Sequence, residues 1–150
     1  MHFCGEPPSV GKQTDLFQNH VTFLAFANVE STSEAEFVDR ITRSGKQIHR
    51  FTLEPSSVEF FGPQKNIKVQ TFKQSDKAQN LHDKLVDTSV SLEVKLDRLE
   101  YSGEYFHPHL TIYKESYIPA SVLVDSLTVV RHVGGYGSPQ VEVVANFSLA

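Results

Sequence analysis

The pattern His, apolar, Thr, apolar occurs twice, as His20-Val21-Thr22-Phe23 and His109-Leu110-Thr111-Ile112, 89 residues apart. With 7 His in the chain, composition alone produces such a pair roughly once in 500 cases. Alternation of this kind marks a strand, in which residues i and i+2 project from one face. Each copy therefore sets an imidazole and a hydroxyl on one face, about 7 Å apart along the chain. The apolar residues between and after them turn toward a core. Two such strands in facing halves would gather two imidazoles and two hydroxyls around one pocket.

That set has a definite chemistry. Imidazole titrates near pH 6.5, so one ring can be neutral and the other protonated close to neutrality. A neutral and a protonated ring are a general base and a general acid. Threonine hydroxyls can donate to non-bridging phosphate oxygens and stabilise the charge of a phosphorane. A pocket so equipped needs no metal and no organic cofactor.

The rest of the chain reads as α+β. A length of 150 residues suits one domain. Residues 1–17 are loop-rich, with Gly5, Pro7, Pro8 and Gly11, or hold an incomplete first strand. His20 to Phe26 reads as a buried strand. Ser31 and Ser33, each followed three residues later by Glu34 and Glu36, signal a helix start. Ala35, Val38 and Ile41 follow at helical spacing, and Gly45 can close that helix. Residues 48–61 hold β-like material interrupted by Pro55-Ser56-Ser57. Ile67 to Phe72 alternates as a strand after the turn at Gly62-Pro63. Ser75 caps a second helix with Ala78, Leu81 and Leu85 on one face. The stretch from Val90 to Leu99 alternates only in part. Pro108 to Lys114, Val122 to His132 and Val141 to Leu149 are further strand candidates.

Charge and cysteine content exclude several classes. The net charge is −4, and it is uneven: residues 1–39 carry −5 and residues 40–73 carry +5. A generally basic nucleic-acid binder is disfavoured, whereas a local basic strip for a small anion is allowed. One cysteine forms no intrachain disulfide and no cysteine-based zinc cage. The N-terminal segment has neither the basic nor the apolar region of a signal peptide. No apolar run is long enough to span a bilayer. A cytoplasmic location is therefore expected.

At the motifs the chain resembles the 2H phosphoesterase superfamily, the 2′-5′ RNA ligase-like proteins. Phe106-His107-Pro108-His109-Leu110-Thr111-Ile112 is similar to the PHLTL segment of that family. Asn19-His20-Val21-Thr22-Phe23-Leu24 is similar to its HVTL strand. The resemblance covers about residues 18–149. It implies a bilobal α+β fold, with two pseudo-symmetric antiparallel-rich sheets, helices outside and a central groove. It implies metal-independent phosphodiester chemistry on a nucleotide, cyclic oligonucleotide or short RNA, at 2′-5′ linkages or cyclic phosphates. His20 and His109 would be the acid/base pair, and Thr22 and Thr111 the phosphate ligands. Only 19 residues precede His20, fewer than the family carries, so an edge strand is expected to be short or missing. Phe61-Gly62-Pro63 is similar to phage and bacterial branches, some of which cleave cyclic oligonucleotide immune signals.

Further residues are candidates for substrate contact. Tyr113 shares the face of His109 and Thr111 and is placed to meet a phosphate or a base. Tyr136, in a Gly-rich loop, is placed to cover a base. Arg50 and Lys114 are candidate phosphate partners, against the plainer reading of surface charge. His107, two residues before His109, would complete a three-His metal site with His20. Pro108 disturbs that geometry, and a metal leaves the Thr repeat unexplained. Limited positive charge argues for short substrates rather than long duplexes. The competing reading is a protein of the same fold that sequesters a nucleotide without turning it over.

Overall fold

The computed structural model describes residues 1–97, 106–135 and 138–150. In chain order the elements are β1 (His2–Phe3), β2 (Gln13–Asp15), β3 (His20–Val21), β4 (Ala27–Asn28), α1 (Glu34–Gly45), β5 (Phe51–Leu53), β6 (Pro55–Phe61), β7 (Ile67–Phe72), α2 (Asp76–Ser91), β8 (Lys95–Leu96), β9 (His109–Thr111), β10 (Val122–Val124), β11 (Ser126–His132) and β12 (Gln140–Ser148). The main sheet runs β1-β3-β9-β7-β6, and a second sheet runs β11-β12-β2. Two small ladders, β10-β5 and β4-β8, complete the set. Every ladder among the described residues is antiparallel. The class is α+β, with mostly antiparallel sheets and two helices. No described helix is long and apolar enough to cross a membrane.

Helix α1 buries Phe37, Ile41 and Gly45. These positions recur every fourth residue, so they form one stripe. The expected stripe named Ala35, which is exposed, while Phe37 carries the contact. The larger ring sets the orientation because it removes far more apolar area from water than a methyl group. Neither expected serine cap forms: Ser31–Ser33 make a 3₁₀ turn, and Ser33 has no side-chain cap bond. Helix α2 follows its sequence signals. The Ser75 hydroxyl accepts the Ala78 N–H, and Ala78, Leu81 and Leu85 are buried. The two helices pack on one another and share a Ser44–Thr88 hydroxyl contact of 2.7 Å.

Several strands differ from expectation. The stretch from His20 to Phe26 is not one strand: β3 ends at Val21, and Phe26 takes a left-handed φ of 49°. A β-branched or aromatic run favours strand only while its backbone stays extended. The first 17 residues contain β1 and β2. β1 has two residues and sits at the sheet edge beside His20 through the Phe3–His20 pair. Pro55 opens β6 rather than interrupting it, and a register shift between Pro55 and Val58 absorbs the disturbance. A proline without an N–H is tolerated at the start of an edge strand. Val122 to His132 divides at Asp125 into β10 and β11, which belong to different sheets.

Candidate active site

β3 and β9 are adjacent and antiparallel, with Val21 opposite Leu110. Both of these residues are fully buried. In a ladder centred on that pair, His20 falls beside Thr111 and Thr22 beside His109, all on the opposite face. The two motifs thus meet at the centre of the main sheet. His20, Thr22, His109 and Thr111 together line a groove of about 840 Å³.

Both imidazoles are held by the same device. His20 Nδ1 donates to the carbonyl of Gln18 at 2.7 Å, and His109 Nδ1 donates to the carbonyl of His107 at 2.9 Å. In each case the acceptor lies two residues back. A carbonyl only accepts, so the proton resides on Nδ1 and the lone pair of the neutral ring resides on Nε2. Each ring also rests against a phenylalanine: Phe3 lies 5.9 Å from His20 and Phe61 lies 5.0 Å from His109, between ring centres. Burial lowers the pKa of both rings below the ordinary 6.5, opposed by the carbonyl hydrogen bonds. His109 lowers His20 further through charge, and His107 does the same to His109.

The remaining candidates divide. The exposed Tyr113 lies outside the groove lining, and its ring meets Phe17 edge-on at 5.4 Å. Burial raises the Tyr113 phenol, opposed by the neighbouring Thr111 side chain. Lys114 is exposed and borders a smaller hollow beside Cys4 and Phe17. Arg50 is exposed and is not part of the groove; its backbone N–H bonds Ala150. Tyr136 lies outside the described residues. The basic segment 40–73 supplies no lysine or arginine to the groove lining. Nor does any group of three or more His, Cys, Asp or Glu side chains placed to hold a metal occur among the described residues, so His20, His107 and His109 do not converge as a metal triad.

Sequence reasoning does not single out several groove residues. Arg131 lines the groove, with its guanidinium bound to Glu34 at 2.7 Å and Glu142 at 2.9 Å. Phe26 and His132 line it as a stacked pair, 5.5 Å between centres and 8° apart in plane. His82 is a core residue, bonded to the Phe23 carbonyl and stacked on Phe106 at 4.2 Å. These contacts join residues far apart in sequence, and no local pattern announces them.

No family model and no curated protein matches the chain. Among solved structures, the chain is similar to TT0787 of Thermus thermophilus, with a TM-score of 0.59 and 18% identity. The match covers 87% of this chain and 78% of that one. At that identity the likeness establishes a shared fold.

Proposed function

We propose that the chain is a two-histidine phosphodiesterase acting on a nucleotide, cyclic oligonucleotide or short RNA, without a metal. The observation that carries this reading is the matched pair of Nδ1–carbonyl bonds, which leaves both Nε2 atoms free for proton transfer in one groove. The repeated motif and its resemblance to the 2H phosphoesterases support the substrate class. One neutral Nε2 takes a proton from water or from a ribose 2′-OH, and that oxygen attacks phosphorus. The other ring, protonated, donates its Nε2 proton to the leaving oxygen as the P–O bond breaks. Thr22 and Thr111 donate to the non-bridging oxygens. Water as nucleophile gives hydrolysis, and a 2′-OH gives a cyclic phosphate. After either route the base carries the proton that the acid has lost.

The test is incubation in excess EDTA with 2′-5′ dinucleotides, 2′,3′-cyclic nucleotides, ADP-ribose cyclic phosphate and 3′-5′ cyclic oligonucleotides, with products read by mass spectrometry. One class is cleaved by the unsubstituted protein. His20→Ala and His109→Ala each lower turnover by about 10²–10⁴-fold and keep the native circular dichroism spectrum. Full turnover by either variant rejects the acid/base pair. Tight binding of a ligand that stays intact supports the sequestering alternative.

A further inference from the structure

The groove histidines are of two kinds. His20, His82, His109 and His132 each engage Nδ1 with a backbone carbonyl. His107 also lines the groove and is half-buried, but among the described residues its ring makes no hydrogen bond or ion pair. Its ring contact is with Phe61, at 6.4 Å between centres. Both ring nitrogens are therefore available to a ligand, and a protonated ring offers two N–H donors.

The position of His107 is set by the backbone. Pro108 follows it and biases it toward extended geometry. The Phe72 N–H donates to the Pro108 carbonyl at 3.2 Å, which carries the β7–β9 pairing back past His109. His107, His109 and Thr111 all line the groove, so they form a row at two-residue steps. Each step is about 7 Å along an extended chain. That is comparable to the span from one phosphate to the next in an extended nucleotide backbone. A phosphate between His20 and His109 thus leaves the next one within reach of His107.

We propose that His107 is a subsite for a second phosphate, and that the substrate is an oligonucleotide with consecutive phosphates rather than a cyclic mononucleotide. This rests on the phosphodiesterase reading above. The backbone gives a clean test. His109 is held by the carbonyl of His107 and not by its side chain, so replacing the imidazole leaves the His109 anchor in place.

Binding is measured by calorimetry in a His20→Ala background, where turnover does not enter. The probes are a 2′,3′-cyclic mononucleotide, with one phosphate, and a 2′-5′ dinucleotide bearing a terminal phosphate, with two. Adding His107→Gln weakens the dinucleotide about tenfold and the mononucleotide less than about twofold. Adding His107→Lys instead restores most of the dinucleotide affinity, because an ammonium supplies charged N–H donors to a phosphate at the position. Equal loss for both probes, no loss for either, or no measurable dinucleotide binding overturns the subsite. Turnover of the same probes by the unsubstituted protein is scored separately. Turnover with no effect of His107 rejects only the subsite, and dinucleotide-selective binding with no turnover rejects only the catalytic reading.

Discussion

His20 and His109 share one anchoring geometry, and that geometry makes their pH behaviour predictable. Burial first, and then neighbouring positive charge (the N-terminal ammonium and His109 for His20, His107 for His109), lowers both pKa values below 6.5. Their mutual repulsion favours a pair that holds a single proton. The kcat/KM profile reports the free protein, so its bell is centred on the acid side of about pH 6.5. A bound phosphate favours the protonated rings, so the kcat bell lies at higher pH than the kcat/KM bell. Profiles of both constants check this, and a kcat/KM bell centred above about pH 7 contradicts the assignment. Thr22→Val and Thr111→Val keep side-chain shape and strand preference while removing the hydroxyl. Each lowers kcat by about 10²-fold on the proposed chemistry, with little change in Tm. The His/Thr quartet is legible in the sequence because a two-residue repeat fixes which side chains share a face. The place of Arg50 is not, because a charge carries no such periodicity; its exposed position away from the groove follows from tertiary packing.

Helix α1 shows what patterning resolves at the scale of an element and what it misses. Gly45 is its last residue and faces Phe147 of β12. A Cβ there would collide with the Phe147 ring, with Cζ at 2.8 Å. Gly45→Ala gains about 1 kcal/mol of helix propensity and loses about 1–3 kcal/mol to overpacking. The net expectation is a lower midpoint in urea unfolding; an unchanged or raised midpoint would mean that the ring swings aside freely. Gly45 is legible as the helix end, but its contact with a strand about a hundred residues away is not. β7 and the Ser75 cap follow from the sequence because their determinants are local. β1, β2 and the short β3 escape it because two or three residues carry too little periodicity. For β3, the left-handed turn at Phe26 also overrides the apolar run that precedes it.

At the scale of the whole molecule, β1 joins the two sheets. His2 and Phe3 pair with β3 in the main sheet, while His2 Nδ1 donates to the Ser126 carbonyl of β11 at 2.9 Å. Backbone bonds between Met1 and Thr128 reinforce that junction. The junction and the groove therefore contain three histidines whose pKa values are lowered chiefly by burial: His2, His20 and His109. The sign follows from linkage. An unfolded chain takes up protons at these sites near pH 6.5, before the folded chain does. Stability is thus fully present above about pH 6.5 and falls as pH drops through that value toward the folded pKa values. This window lies above the ordinary carboxylate range near pH 4, and the buried Met1 ammonium, pushed down from 8.0 to about 5, adds to the decline in the same direction. Urea unfolding at about pH 7, 6 and 5 should show a declining free energy at near-constant m-value. Replacing all three histidines by glutamine should make that decline shallower, leaving the part due to the Met1 ammonium, whatever it does to stability at the starting pH. The change in slope is the decisive reading, because a merely structural loss lowers stability equally at every pH. A flat profile for the unsubstituted protein would mean that these rings are hydrated enough to take up protons without disturbing the fold.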